Sequence, residues 1–220
     1  QETIFNRVAE LVQSHFDQWS VEVRLNTIVP PFDEGTERVR LALLDRDPNA
    51  AGLLGNDPTV GKDEGNQLLD ESLDGGVHLP GRELGQPSYG GVFLAGFFAL
   101  SPTANPSGGV ADPAFDVIFS PFAPALGGQP LDAARLSTAT KAIEVLSQVI
   151  AGTVSHEVGH TLGLAAVNGY HHSGDNPGWR MDSGTARPFA ERANLPGSGG
   201  ERWGPLDAAY LDQILPKDPP

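Results

Sequence analysis

The sequence predicts an α+β fold. Three observations carry that expectation: apolar residues at helical spacing near the N-terminus, short apolar runs of strand length in the middle, and a long helical period that stops at Gly163 ahead of an irregular final segment. With 220 residues the chain is long enough for one well-buried domain and short for two independent ones. The expected organisation is a single domain over residues 1–220, in which 1–163 carries the sheet and the long helix, and 164–220 forms a smaller irregular part ending in a helix.

Phe5, Val8, Ala9, Val12, Phe16 and Trp19 fall three or four apart, so residues 3–19 read as an amphipathic helix packed on a sheet. Val21, Val23 and Leu25 alternate with polar residues, and the run 39–44 is β-like, giving two early strands separated by the Pro30-Pro31 turn region. Residues 45–90 are dense in Asp, Gly, Asn and Pro with no sustained period; they read as a long excursion with a short hairpin near Gly75-Gly76. The apolar runs 92–100 and 115–119, bounded by Gly or Pro, both read as strands. Leu136, Ala139, Ile143, Leu146, Ile150 and Val154 then keep helical spacing, so residues 131–162 form one long helix or two joined near Gly152. Leu206, Tyr210 and Leu211 place a closing helix at 206–215.

Composition narrows the partners. A formal charge of −14, with 14 basic residues scattered among 28 acidic ones, argues against nucleic acid, whose binding draws on clustered Lys and Arg. It argues equally against an anionic membrane surface, and no stretch approaches the roughly 20 apolar residues of a membrane span. Without cysteine, redox chemistry says nothing of the compartment. The start at Gln1, with neither an initiator Met nor a signal-like apolar core, leads us to expect a processed chain. Asp45, Asp47, Asp57, Asp63 and Asp70 offer oxygen ligands for a structural Ca2+, although EF-hand spacing is missing and plain surface loop is the simpler reading. His15, on the polar side of the first helix, and His78, in a loop, read as surface residues.

The informative segment is His156-Glu157-Val158-Gly159-His160-Thr161-Leu162-Gly163. On a helix, residues four apart lie on one face, so His156 and His160 can direct their imidazoles at a shared point. That geometry suits zinc, and Glu157, about 100° further round, can reach a metal-bound water without joining the metal's own ligands. Gly163 is placed to end the helix through a left-handed cap. Catalytic zinc usually takes three protein ligands and keeps a fourth position for water, so a third ligand is needed.

The extended pattern resembles that of the metzincin zinc peptidases, in which two residues separate the Gly from a third His. Alanine, Ala166, occupies that position here. His171 and His172 follow after the Asn168-Gly169 turn, and a loop insertion of five or six residues would bring either to the same place. His171 is preferred, because the stretch from Gly169-Tyr170-His171 to Met181-Asp182 resembles bacterial sequences with an aromatic-His pair ahead of the Met. His172 is the alternative, and Asp175 ranks below both. Met181, the only Met of the chain, lies within Arg180-Met181-Asp182-Ser183-Gly184, and the resemblance implies that it packs in a turn beneath the metal.

What the resemblance implies is a two-subdomain zinc endopeptidase with a twisted mixed sheet, a backing helix and an active-site helix, with the run 92–100 as the strand above the cleft. Zn2+ would be held by His156, His160 and His171, and peptide bonds in a protein or peptide substrate would be hydrolysed by a zinc-activated water with Glu157 as general base. It further implies a secreted or cell-surface bacterial protein acting as a monomer, without nucleic acid and without membrane insertion. Tyr170 could donate to an oxyanion, with packing as its plainer role. The competing reading is a catalytically inactive surface or adhesion module that keeps the same fold.

Overall fold

The computed structural model describes residues 2–25, 39–47, 52–57, 72–73, 90–107, 109–122, 132–165, 169–172, 176–184 and 187–217. Within them the chain is mixed α and β, an α+β arrangement of small sheets and helices. Helix α1 (Glu2–His15) places Val8, Leu11 and Val12 in the core, and Phe16 and Trp19 follow in a turned segment rather than in the helix expected to reach residue 19. The helix ends early because Phe16 N–H turns back to the Gln13 carbonyl at 3.1 Å and Trp19 N–H to Phe16, which folds both aromatics inward. The expected strand at 21–25 does not form: Gln13 brackets that segment instead, its amide donating to the Val21 carbonyl and accepting from Val23 N–H, each at 2.8 Å.

The β-like run 39–44 divides into β1 (Arg40–Leu41) and β2 (Leu43–Leu44), which pair with different partners. β1 lies parallel to β4 (Ser72–Leu73). β2 lies parallel to β5 (Gly91–Phe93), with Leu43 opposite Val92, and β5 is flanked on its other side by antiparallel β3 (Gly55–Asn56). The run 92–100 is therefore not an edge strand. It is three residues of central strand, fully buried, followed by a 3-10 helix at Leu94–Leu100. The segment that supplies β3 and β4 had read as loop, because two-residue strands carry no period. The hairpin expected near Gly75-Gly76 falls outside the described residues.

The run 115–119 is a helix, not a strand: α2 (Pro113–Phe119). Asp112 caps it by accepting from Ala114 N–H at 2.8 Å, and Pro113 presets the first turn. Phe115, Ile118 and Phe119, spaced for a helical face, are buried; Phe115 and Phe119 pack 5.4 and 6.3 Å from the ring of Phe189 on α4 (Phe189–Arg192). Four of the five residues 115–119 are apolar or aromatic, and that density had hidden the periodicity.

Helix α3 (Leu136–Thr161), preceded by a 3-10 turn at Ala133–Arg135, runs through Gly152 without a break. It packs along α1 and against β5, and most of its second half is buried. Its end follows from Gly163 at φ 107°: Gly163 N–H bonds the His160 carbonyl at 3.0 Å and Leu164 N–H the Gly159 carbonyl at 2.9 Å, the pair of bonds that closes a Schellman cap. Helix α5 (Pro205–Ile214) closes the described chain. Phe16, Trp19 and Trp203 form an aromatic cluster with centroids 5.3 to 6.4 Å apart, joining α1 to the segment before α5. None of these helices is long and apolar enough to cross a membrane.

Candidate metal centre

The cap at Gly163 sends the chain back past the end of α3, and the segments after it bring His171 to His156 and His160. One nitrogen from each of the three lies within 4.8 Å of the others, and their ring centroids are 4.6, 4.9 and 5.3 Å apart. Among the described residues this is the group of side chains gathered closely enough to hold a metal ion.

The hydrogen bonds fix which nitrogens face inward. His156 Nδ1 lies 2.7 Å from the Arg180 carbonyl and His160 Nδ1 lies 2.8 Å from the Leu164 carbonyl. A carbonyl can only accept, so both Nδ1 atoms carry the proton and both Nε2 atoms keep a lone pair. His171 Nε2 is buried with no hydrogen-bond partner. Burial lowers the pKa of all three, most strongly for His156, where His160 adds to it. Three neutral imidazoles with two carbonyl-oriented tautomers and one orphaned nitrogen form a donor set that fits a borderline divalent metal such as zinc.

His172 goes elsewhere. Its ring packs 4.8 Å from Trp179, and Nε2 approaches Asp207 Oδ1 at 3.4 Å without the alignment of a hydrogen bond. Its backbone is tied to the turn, His172 N–H to Met181 O at 3.1 Å and Ser183 N–H to His172 O at 2.8 Å. Adjacent residues in extended backbone project oppositely, so seating His171 in the cluster turns His172 away. Asp175 lies outside the described residues. Tyr170 packs on Tyr210 at 5.0 Å between centroids.

Met181 is fully buried directly under α3, its sulfur against Gly159. A Cβ on Gly159 would stand 2.7 Å from that sulfur and 3.2 Å from Trp203, so the glycine between the motif histidines is required by the turn beneath them.

Glu157 points to the sheet side of α3. Its carboxyl rests on Gly55 in β3, where any side chain would collide with it. Burial first, then the charge of Asp57, push Glu157 well above the ordinary carboxylate range, with Arg192 opposing. Asp57 itself is buried and accepts from the Thr161 hydroxyl at 3.2 Å. Of the acids offered for calcium, Asp57 is thus engaged beside Glu157, Asp47 accepts from Leu53 N–H at 3.3 Å, Asp45 meets Arg46 at the surface, and Asp63 and Asp70 lie outside the described residues.

Beneath the cluster sits a set of buried charges that no sequence pattern announced. Arg180, Arg187, Glu191 and Arg192 are each under 5 % exposed, and the side chain of Glu201 is 1 % exposed. Arg187 binds Glu201, meets Glu191 at 3.3 Å and donates to the same Arg180 carbonyl that orients His156. Burial works against the Glu201 charge, yet Arg187 and Arg180 hold its pKa below the ordinary value. His15, expected at the surface, is partly buried, with Nδ1 2.8 Å from Ser155 Oγ, and burial together with Arg180 lowers it to about 3. His78 lies outside the described residues. Comparison of the chain with models of protein families, with curated proteins and with solved structures finds no match in any of the three.

Proposed function

We propose that this chain is a zinc-dependent endopeptidase of the metzincin type, with Zn2+ held by His156, His160 and His171. The observation that carries the reading is the third histidine: the position where the resembling pattern has a ligand is Ala166, yet a nitrogen of His171 lies within 4.8 Å of one from each of His156 and His160, and its Nε2 has no hydrogen-bond partner.

If bound, zinc would supply a Lewis acid that makes water easier to deprotonate. The residues do the rest. Arg180 and Leu164 hold the two helix imidazoles in the tautomer that binds. Glu157 would take the proton of the attacking water on its carboxylate and deliver it to the nitrogen of the departing amine, and burial, then Asp57, raises the proton affinity of that carboxyl. The Schellman cap and the turn at Met181 keep His171 under the helix end. The substrate class is protein or peptide.

His171 also favours this reading over an inactive adhesion module, which Ala166 alone would have suited; a purely structural site gains nothing from Glu157. The experiment is metal analysis of purified protein paired with hydrolysis of a fluorogenic peptide library. One zinc per chain, with cleavage that a chelator abolishes and zinc restores, is expected. Failure to bind zinc, or stoichiometric zinc without cleavage of any peptide, would transfer the chain to the inactive module.

A further inference from the structure

The two helix histidines keep their tautomers by different means. His160 Nδ1 meets the carbonyl of Leu164, four residues along, and the Schellman cap fixes that segment locally, with Leu164 N–H on the Gly159 carbonyl at 2.9 Å. His156 Nδ1 meets the carbonyl of Arg180, 24 residues away, so nothing in α3 itself keeps that acceptor in place. The Arg180 amide is tied to the Arg202 carbonyl at 2.7 Å, but the Arg180 carbonyl belongs to the next peptide plane and turns independently. The orientation of His156 therefore depends on what holds that carbonyl.

A closed ring of buried groups holds it. A carbonyl oxygen has two lone pairs, and that of Arg180 accepts from His156 Nδ1–H at 2.7 Å and from Arg187 Nη1 at 3.3 Å. Arg187 Nη2 binds one oxygen of Glu201, and the other oxygen lies 3.6 Å from the Arg180 guanidinium, which packs 4.8 Å over the Trp203 ring. Arg187 Nε meets Glu191 at 3.3 Å. The guanidinium is a planar, rigid fork, so the two carboxylates that fix its other donors also aim Nη1 at the carbonyl. A Cβ on Gly152 would run into the Glu201 carboxylate, so the ring bears on α3 about one turn ahead of His156.

Buried ion pairs add little net stability, because desolvation offsets their attraction, and an apolar set of similar volume is often no less stable. What the charged ring supplies, and an apolar one would not, is a donor fixed on the Arg180 carbonyl. We propose that Arg187 is a positioning residue of the metal centre: its Nη1 fixes the Arg180 carbonyl, so that His156 keeps its proton on Nδ1 and its Nε2 lone pair free for the point shared with His160 and His171. The inference rests on the reading of the three histidines as a metal site.

The test uses protein labelled with 15N-histidine. In the zinc-free parent at pH about 8, where ordinary imidazole is neutral, long-range 1H–15N spectra should show His156 as the Nδ1–H tautomer. Arg187→Lys keeps a cation for Glu201 and loses the fork. In it His156 is expected to become a mixture of tautomers, and the zinc dissociation constant, read by chelator competition, to rise by about 10–100-fold. The double variant Arg187→Gln/Glu201→Gln removes both charges together, so neither is left buried alone, and should behave the same way. Arg192→Lys controls for lost packing, because Arg192 is buried as deeply and donates to the Arg187 and Gly184 carbonyls instead. It is expected to lower the melting temperature while leaving the His156 tautomer unchanged and zinc affinity within about threefold, below the range typical of an orienting partner. A folded Arg187 variant that keeps His156 wholly as Nδ1–H or keeps zinc affinity within that range would overturn the proposal, as would an Arg192→Lys variant that shifts the tautomer as far. A parent that binds no zinc would end the metal reading instead, and the tautomer of His156 would still decide the part played by Arg187.

Discussion

The Met181 sulfur lies 2.7 Å from where a Cβ on Gly159 would stand, inside the turn of α3 that separates His156 from His160. Trp203 and Leu164 close the same space at 3.2 and 3.3 Å, so the thioether has little room to retreat. Gly159→Ala is therefore expected to destabilise the protein by about 1–2 kcal/mol, overpacking outweighing the gain in helix propensity. Thermal unfolding measures it, and a variant at least as stable as the parent would show that the turn is not packed against the motif.

Glu157→Gln keeps the shape of a side chain wedged against Gly55 and removes its ability to take a proton. Zinc content should be unchanged while turnover drops by roughly 10²–10⁴-fold. Retained turnover would place the base elsewhere.

His171 and His172 are neighbours with separate surroundings, and single variants should separate them. His171→Ala is expected to weaken zinc binding by more than about 100-fold, beyond the range typical of losing an outer partner. His172→Ala should leave zinc affinity within about tenfold and lower stability through the loss of its packing on Trp179 and its approach to Asp207. Competition with a chromogenic chelator reads both, and the reverse order would exchange the two assignments.

The zinc-free protein should weaken in mild acid. His15 titrates at about 3 in the folded chain against 6.5 ordinarily, through burial first and Arg180 next. The unfolded chain takes up a proton in that interval which the folded chain refuses, so this stability is complete above about pH 6.5 and is lost as pH falls towards 3. His156, His160 and His171 shift in the same direction and steepen the fall. Urea midpoints should decline from about pH 7 to about 4, and less so in His15→Asn. A midpoint that rises on acidification over that range would contradict the buried, neutral state of these rings.

Glu201 faces Arg187 and Arg180 with almost no access to water. Glu201→Ala leaves both guanidinium groups without it and is expected to cost about 3–5 kcal/mol. Gly152→Ala should also destabilise, since a Cβ there would strike the same carboxylate. Chemical unfolding of the two variants checks the pair, and a cost of the Glu201 change below about 1 kcal/mol would mean that water already reaches the network.

The sequence alone determined the long helix that ends at Gly163, the amphipathic first helix, the closing helix and the placing of His156 and His160 on one face, because helical period and a positive-φ glycine are local properties. Its preference for His171 over His172 came from a pattern of neighbours, and tertiary structure gave that preference its geometry, through a backbone pairing of His172 with the Met181 turn that no local signal contains. Short strands pair by partner rather than by period, so β3 and β4 were hidden and the run 92–100 was overextended. In the run 115–119 the cap at Asp112 outweighed the apolar run. The buried arginines and glutamates were invisible for a related reason: charged residues in irregular sequence read as solvated, and only packing around α3 gives them partners that make burial tolerable.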